Sequence, residues 1–367
     1  MTLASVRFAR SGLVIEVRSW QQSDLDWLAE CLAPGFSTVT GIVQSDWEIS
    51  VVLDESAYRG LLEFGPLSGR GPVHCFSFDS QVAQHQVWND EPLTVHDSEF
   101  RLFYRVWSEE RRIEVLAGAP LASLRVALLR LVREIFTQHL VRQGHVQFHG
   151  AAVGLAGYGL LICGPKRAGK TSLTVDMLRD PSARFISNDR ALVACHTQIQ
   201  PEVTGMPTVI SIRPGTLALF RDLPWSKVRH WRARQRLSES LAINPPASVA
   251  ATQENLDMNP AQFCYLLGTE PVAGAPLRAV IFPRVEPAAV GVEWRTLDAS
   301  EMVVKLETNL LLTTDSVFTT SLGPRPAPDL TQSTLRRVTS RIAGFEVVLG
   351  DGAYRGPSIA SSLQELL

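Results

Sequence analysis

Residues 164–171 read Gly164-Pro165-Lys166-Arg167-Ala168-Gly169-Lys170-Thr171, a full match to the spacing G-x-x-x-x-G-K-[ST]. Each residue type in that pattern has a physical task. The two glycines allow dihedrals and close approach that a side chain would block. The main-chain N–H groups of such a loop, with those of the first turn of a following helix, converge on an anion. Lys170 brings a positive charge to the β- and γ-phosphates of a nucleotide, and the Thr171 hydroxyl is offered to Mg²⁺. Gly164, Arg167, Ala168, Gly169, Lys170, Thr171 and Ser172 are the expected nucleotide-holding residues. Lys166 and Arg167 read as solvated cations within reach of a phosphate.

A loop of this kind needs a buried strand before it and a helix after it. Leu160-Leu161-Ile162-Cys163 is wholly apolar, as in a strand covered on both faces. Ser172–Arg179 reads as a helix and Phe185-Ile186-Ser187 as the next strand. Strand, glycine loop, helix, strand is the order of a nucleotide-binding α/β unit. Upstream, Val146–Val153 is a further strand, followed by a turn at Gly154–Gly159. Before it, Leu121, Leu124, Leu128, Leu131, Ile135, Phe136 and Leu140 recur at three and four. That spacing predicts an amphipathic helix of roughly six turns, ending near Gly144. Downstream, strands are expected at Thr208–Ile212, Leu277–Arg284 and Phe345–Leu349, with a helix at Leu330–Ile342.

Residues 1–118 read as short strands and turns, among them Val14–Arg18, Trp47–Leu53 and a hairpin of Phe100–Trp107 with Arg112–Leu116. They carry no chemical motif. His74, His85 and His96 lack metal-ligand spacing and read as core or surface histidines. The change of periodicity divides the chain into an N-terminal α+β domain at 1–118, for acceptor recognition or oligomerisation, and a loop-bearing domain at 119–367.

The whole chain has 367 residues, enough for about two domains. With 45% apolar and 20% charged residues, wholesale disorder is excluded. Lys and Arg number 35 against 37 Asp and Glu, a net charge of −2, so the chain has no global pull on nucleic acid or an anionic membrane. Five scattered cysteines without a CxxC pair argue against a disulfide framework and a cysteine zinc site. The N-terminus lacks the apolar core of a signal peptide, and no run reaches the ~18 apolar residues that span a bilayer. A cytoplasmic protein is the expectation.

Two segments frame the loop: Phe148-His149-Gly150-Ala151-Ala152-Val153 and Phe185-Ile186-Ser187-Asn188-Asp189-Arg190-Ala191-Leu192-Val193. In this order the three pieces resemble the HPr kinase/phosphorylase-like superfamily over about residues 145–195; the family's pattern is a His-Gly or His-Ala strand, this loop and then a strand ending in an Asp-Asp pair. The resemblance implies an α/β, P-loop, PEP-carboxykinase-like mixed-sheet core with a smaller N-terminal α+β domain. It implies ATP and Mg²⁺, and a serine-type hydroxyl acceptor on a protein, peptide or small molecule. Relatives often form oligomers, so a homo-oligomer is an expectation of the same kind.

Asp189 matches the second acid of the family's pair and would orient or deprotonate the acceptor hydroxyl, beside Mg²⁺. His149 matches a strand-borne histidine near the transferred phosphoryl group. Asn188 stands where the family carries a carboxylate; it brings no charge to Mg²⁺ and cannot act as a base. Glu202 in Glu202-Val203-Thr204-Gly205 faintly resembles a metal-side acid, with Thr204 in place of an arginine. Arg284, just past a buried strand, matches an arginine that would stabilise charge on the γ-phosphate.

Trp225–Arg236 is the most basic run and no acid interrupts it. It reads as a solvated helix face, as a lid over phosphate or an acidic substrate, or as a nucleic-acid contact. The near-neutral charge of the chain disfavours the last. The stretch from Asn244 to Pro260 reads as an extended loop.

Three functions compete. The first is a Mg²⁺-dependent kinase. The second is a nucleotide-binding regulator or pseudokinase, which Asn188 favours. The third is an ATPase driving conformational change, for which Ser187-Asn188-Asp189-Arg190 lacks the acid–glutamate pattern.

Overall fold

The structure, a computed structural model, describes residues 3–33, 35–41, 43–65, 75–78, 81–88, 92–97, 100–121, 124–194, 200–220, 222–223, 255–311 and 328–367. The basic run at 225–236, most of the 244–260 loop and His74 lie outside the described residues. Two units divide the chain. One is Met1–Leu32 with Phe36–Arg142 and Leu312–Arg325; the other is Ala33–Gly35 with Gln143–Leu311 and Pro326–Leu367.

The first unit holds β1 (Ala4–Arg10), β2 (Leu13–Ser19), α1 (Gln22–Leu32), β3 (Ser37–Thr38), β4 (Trp47–Leu53), α2 (Glu55–Phe64) and β5 (Cys75–Phe78). Then come β6 (Gln81–Trp88), β7 (Leu93–Asp97), β8 (Leu102–Trp107), β9 (Arg112–Ala117) and α3 (Leu124–Arg142). Its sheet runs β3-β1-β2-β4-β9-β8-β7-β6-β5, parallel at β2/β4 and β4/β9 and antiparallel elsewhere. The pleat sends alternate residues to opposite faces. Ile15 and Val17 of β2, Ile49 of β4 and Ile113 and Val115 of β9 are fully buried. Leu25 and Leu28 of α1 and Val132 and Phe136 of α3 are buried in the same unit, which is why α3 belongs to it. The periodic helix expected after residue 119 is present, but the division of the chain falls between Arg142 and Gln143.

The second unit opens with β10 (Val146–Leu155), β11 (Tyr158–Cys163), α4 (Lys170–Met177), β12 (Ala183–Ser187), β13 (Arg190–Ala194), β14 (Glu202–Gly205) and β15 (Ile210–Ile212). It continues with α5 (Pro214–Leu219), β16 (Leu256–Met258), α6 (Pro260–Leu267), β17 (Gly274–Val290), β18 (Val292–Leu297) and α7 (Ala299–Glu307). It ends with α8 (Pro328–Thr339), β19 (Ala343–Asp351) and α9 (Ile359–Gln364). The main sheet runs β11-β10-β13-β14-β17-β19-β18, with β12 also on β10. β11 pairs antiparallel with β10 and parallel with β17, so β10, β13, β14, β17 and β11 close into a ring.

β11 therefore lies at the centre, and Leu160–Cys163 are fully buried, as an all-apolar strand requires. Leu160 and Ile162 pack in one core with Leu173, Val175 and Met177 of α4. Leu161 and Cys163 pack in the opposite core with Met302 and Leu306 of α7 and Leu335 and Val338 of α8. The protein is thus α/β with mixed sheets, and the loop leaves a strand that helices cover on both faces. No helix among the described residues is long and apolar enough to cross a membrane.

Candidate functional site

β11 ends at Cys163 and α4 starts at Lys170, so residues 164–169 form the connection. Arg167 and Gly169 take positive φ, +71° and +99°. Gly169 is required twice over. Beyond its dihedral, a Cβ there would lie 3.0 Å from Val285 Cγ2 and 3.1 Å from Leu349 Cδ1. The chain turns tightly over Val285 of β17 and Leu349 of β19, where any side chain would be both crowded and strained in its dihedral. The first turn of α4 has N–H groups with no carbonyl partner inside the helix, which is what an anion needs.

The Lys170 ammonium folds back over this turn, donating to Gly164 O at 2.6 Å and Pro165 O at 3.1 Å. Burial holds it below the ordinary lysine value, and the field of the Asp189 carboxylate opposes that shift. Lys170 and Asp189 therefore share one electrostatic environment. Ser172 Oγ lies 3.2 Å from Thr216 Oγ1, and Thr171 remains partly exposed in the first turn. Beneath the loop the Cys163 thiol is pushed up to about 12 by burial, so it stays protonated at neutral pH and is no nucleophile. Cys31, Cys163 and Cys264 are all free and buried.

The second half of the site comes from the neighbouring strands. Asn188 and Asp189 form the bend between β12 and β13. The Gly150 N–H donates to Asp189 O at 3.0 Å, which holds that bend against β10. His149 Nδ1 and Asp189 Oδ1 lie 3.3 Å apart, with side chains 41% and 42% exposed. Asp189 Oδ2 lies 4.0 Å from Arg190 Nε. Asn188 does something else: its Oδ1 accepts from Thr208 Oγ1 at 2.9 Å. The Asn188 amide is thus engaged as an anchor for the segment after β14, while the neighbouring carboxylate faces the histidine.

Two expected residues are not brought here. Glu202 pairs with Pro276 at the start of β17, whereas Ile162, next to the loop, pairs with Ile281. That is about 17 Å of strand at ~3.3 Å per residue, too far for Glu202 to share an ion with Thr171. Arg284 follows Pro283, whose carbonyl lies against Gly164, but the pleat turns the Arg284 side chain to the other face. Val285 packs under Gly169, whereas Arg284 Nη1 lies 2.6 Å from Glu286 and its Nε 3.9 Å from Glu346. Glu346 in turn accepts from Lys305 at 2.7 Å, and that bond holds its carboxyl below the usual range. Arg284 belongs to this ion-pair cluster on the α7 face.

Of the expected metal-side residues, Thr171 and Asp189 remain at the loop, and their hydroxyl and carboxylate are hard oxygen donors of the kind Mg²⁺ takes. Among the described residues no group of three or more His, Cys, Asp or Glu could hold a metal by itself.

One residue of the site carries no local sequence mark. Asn309 Oδ1 accepts the Gly164 N–H at 2.9 Å, across a separation of 145 residues. Its main-chain carbonyl accepts the His149 N–H at 2.8 Å. No motif surrounds it, and only the seating of α7 against β10 and β11 brings it to the loop. No protein-family model matches the chain, and no curated protein matches its sequence.

Proposed function

We propose that the second unit is an ATP- and Mg²⁺-dependent phosphotransferase that acts on a serine-type hydroxyl of a protein, peptide or small molecule. The observation that carries this is the His149–Asp189 pair, held open to solvent in the same field as Lys170 at the mouth of the loop. A simple anion cradle has no use for a carboxylate beside its lysine; a proton acceptor for an incoming hydroxyl does. The loop amides and Lys170 hold the β- and γ-phosphates. Thr171 and Asp189 would hold Mg²⁺, which would supply neutralisation of the phosphate charge. The acceptor oxygen forms a bond to the γ-phosphorus as the bond to the β–γ bridging oxygen breaks. Asp189 takes the hydroxyl proton as that bond forms. His149, whose Nδ1 lies 3.3 Å from Asp189 Oδ1, is the imidazole of the site and in its protonated form would donate a hydrogen bond to the transferred phosphoryl group or relay a proton.

A second reading is favoured by one residue. Asn188 adds no negative charge for Mg²⁺, and its side chain is occupied by Thr208. A nucleotide-binding regulator with little transfer would look the same up to Asp189.

Incubation with Mg²⁺ and γ-labelled ATP, with and without pooled proteins, peptides and free serine, separates the two. The kinase reading expects label on a hydroxyl acceptor with the wild type and none with Asp189→Asn. ATP bound equally by both chains, with no label moved to any acceptor, gives the regulator.

A further inference from the structure

Asn309 is 6% exposed and uses every hydrogen-bonding group it has. Its Oδ1 takes the Gly164 N–H at 2.9 Å. Its Nδ2 donates to Lys305 O at 2.8 Å and to Thr308 Oγ1 at 3.2 Å. Its own N–H donates to Leu306 O at 2.9 Å, and its carbonyl takes the His149 N–H at 2.8 Å. A carboxamide with its acceptor and both donors engaged has one orientation, and a satisfied buried network of this kind is rigid.

What it grips matters. Gly164 has no side chain to fix its own dihedrals, and its carbonyl is the nearest acceptor of the Lys170 ammonium, at 2.6 Å. Asn309 thus holds by its N–H the residue that holds the phosphate lysine by its C=O. One turn earlier on α7, Lys305 Nζ donates to Glu346 on β19 at 2.7 Å, which seats the helix end. On the other side, the Leu311 N–H to Gln147 O at 3.0 Å continues the tie to β10.

We infer that Asn309 is a positioning residue that sets the entrance of the phosphate loop, and through it Lys170, against the strand that bears His149. Its side chain serves the nucleotide half, and its main chain serves the His149 half. The kinetic consequence rests on the phosphotransferase reading; the structural consequence does not. A side-chain substitution removes the first tie and leaves the second, so nucleotide handling suffers more than chemistry does.

The test uses the full chain with Asn309→Leu, which keeps the shape and removes the hydrogen bonds, and Asn309→Asp, which keeps the acceptor for Gly164. Amide hydrogen exchange is measured over 164–170 without nucleotide, ATP binding with Mg²⁺ by titration calorimetry, and stability by thermal unfolding. Asn309→Leu is expected to exchange about ten-fold faster over 164–170 and to bind ATP about ten-fold more weakly, as for a lost hydrogen bond. Asn309→Asp is expected to restore the exchange protection. In a transfer assay the KM for ATP rises with kcat changed less than about three-fold. Wild-type exchange and ATP affinity in a chain that merely melts earlier would overturn the inference. If Asn309→Leu does not fold, Asn309→Asp decides: loop protection kept supports the role, and protection lost refutes it. A wild type that binds no ATP would end the phosphotransferase reading, while the exchange measurement would still decide for or against Asn309.

Discussion

The sheet of the first unit and the mouth of the loop in the second treat charge in opposite ways. On β1, β2 and β4, Glu16 lies between Arg7 at 3.1 Å and Arg18 at 2.6 Å, and Arg18 reaches on to Glu48 at 3.4 Å. Arg105 of β8 pairs with Glu114 of β9, and Arg125 of α3 pairs with Asp24 of α1 at 2.6 Å. These charges answer one another. At the mouth, Lys170 donates to two main-chain carbonyls instead of a carboxylate, and the His149–Asp189 pair is long and two-fifths exposed. Backbone strain follows the same division. Positive φ at Ser11 and Arg111 serves the turns of the β1–β2 and β8–β9 hairpins, where twist demands it. Arg167 takes positive φ outside any hairpin, in the connection from β11 to α4. Structure-keeping charges are closed among themselves, whereas the mouth sets a partly buried lysine, a half-exposed His–Asp pair and a strained residue close together, which is the pattern the proposed function uses.

The sharpest way to break this comparison is Asp189→Asn. If the mouth charges serve a reaction, transfer falls by about 10²–10⁴-fold, the range of a lost general base. Equal transfer rates in the two chains would count against it. In the first unit, Asp24→Ala leaves Arg125 partly buried without its partner and is expected to cost about 3 kcal/mol. A denaturant melt reads this, and ATP binding should be unmoved.

Lys170→Met comes next. Loss of its charged hydrogen bonds, about 1.5–3 kcal/mol, weakens ATP binding by about ten- to a hundred-fold. Its pH dependence follows from burial. The folded-state value is depressed below the unfolded 10.5, so between the two the unfolded chain holds a proton that the folded chain has released. Stability of the empty protein therefore rises with pH through that window, while ATP affinity falls as the positive charge is lost. An affinity titration from neutral to alkaline pH should bend before the ordinary lysine value; a flat profile would show that Lys170 is not the phosphate cation. Smallest is Arg167→Gly, which relieves an αL residue and is expected to raise stability by about 1 kcal/mol in a thermal melt.

Local signals carried much of this architecture. Trp47–Leu53 is a strand with the bounds its alternation predicts. The hairpin around residues 108–111, the loop between β11 and α4, and the helix of leucines in α3 are equally plain. Each depends on a period or a residue type within a dozen neighbours. Asn188 marks the limit of that kind of reading. That it is an amide beside a carboxylate was visible, but that its side chain accepts from Thr208 while Asp189 lies against His149 was not.

By itself, the sequence determined that a glycine-bearing loop stands between an apolar strand and a helix, and its glycine, lysine and hydroxyl types at that spacing made an anion cradle the expectation there. Only the tertiary structure decided which distant groups reach the cradle. The register of β14 on β17 carries Glu202 to the far end of the sheet, and the pleat turns Arg284 to Glu286 and Glu346. The packing of α1 with α3 keeps that helix in the first unit. The end of α7 brings Asn309 to Gly164. Pairing register and strand face depend on which long-range burial is most favourable, and a slip of one residue reverses them, so no short stretch of chain can encode them alone.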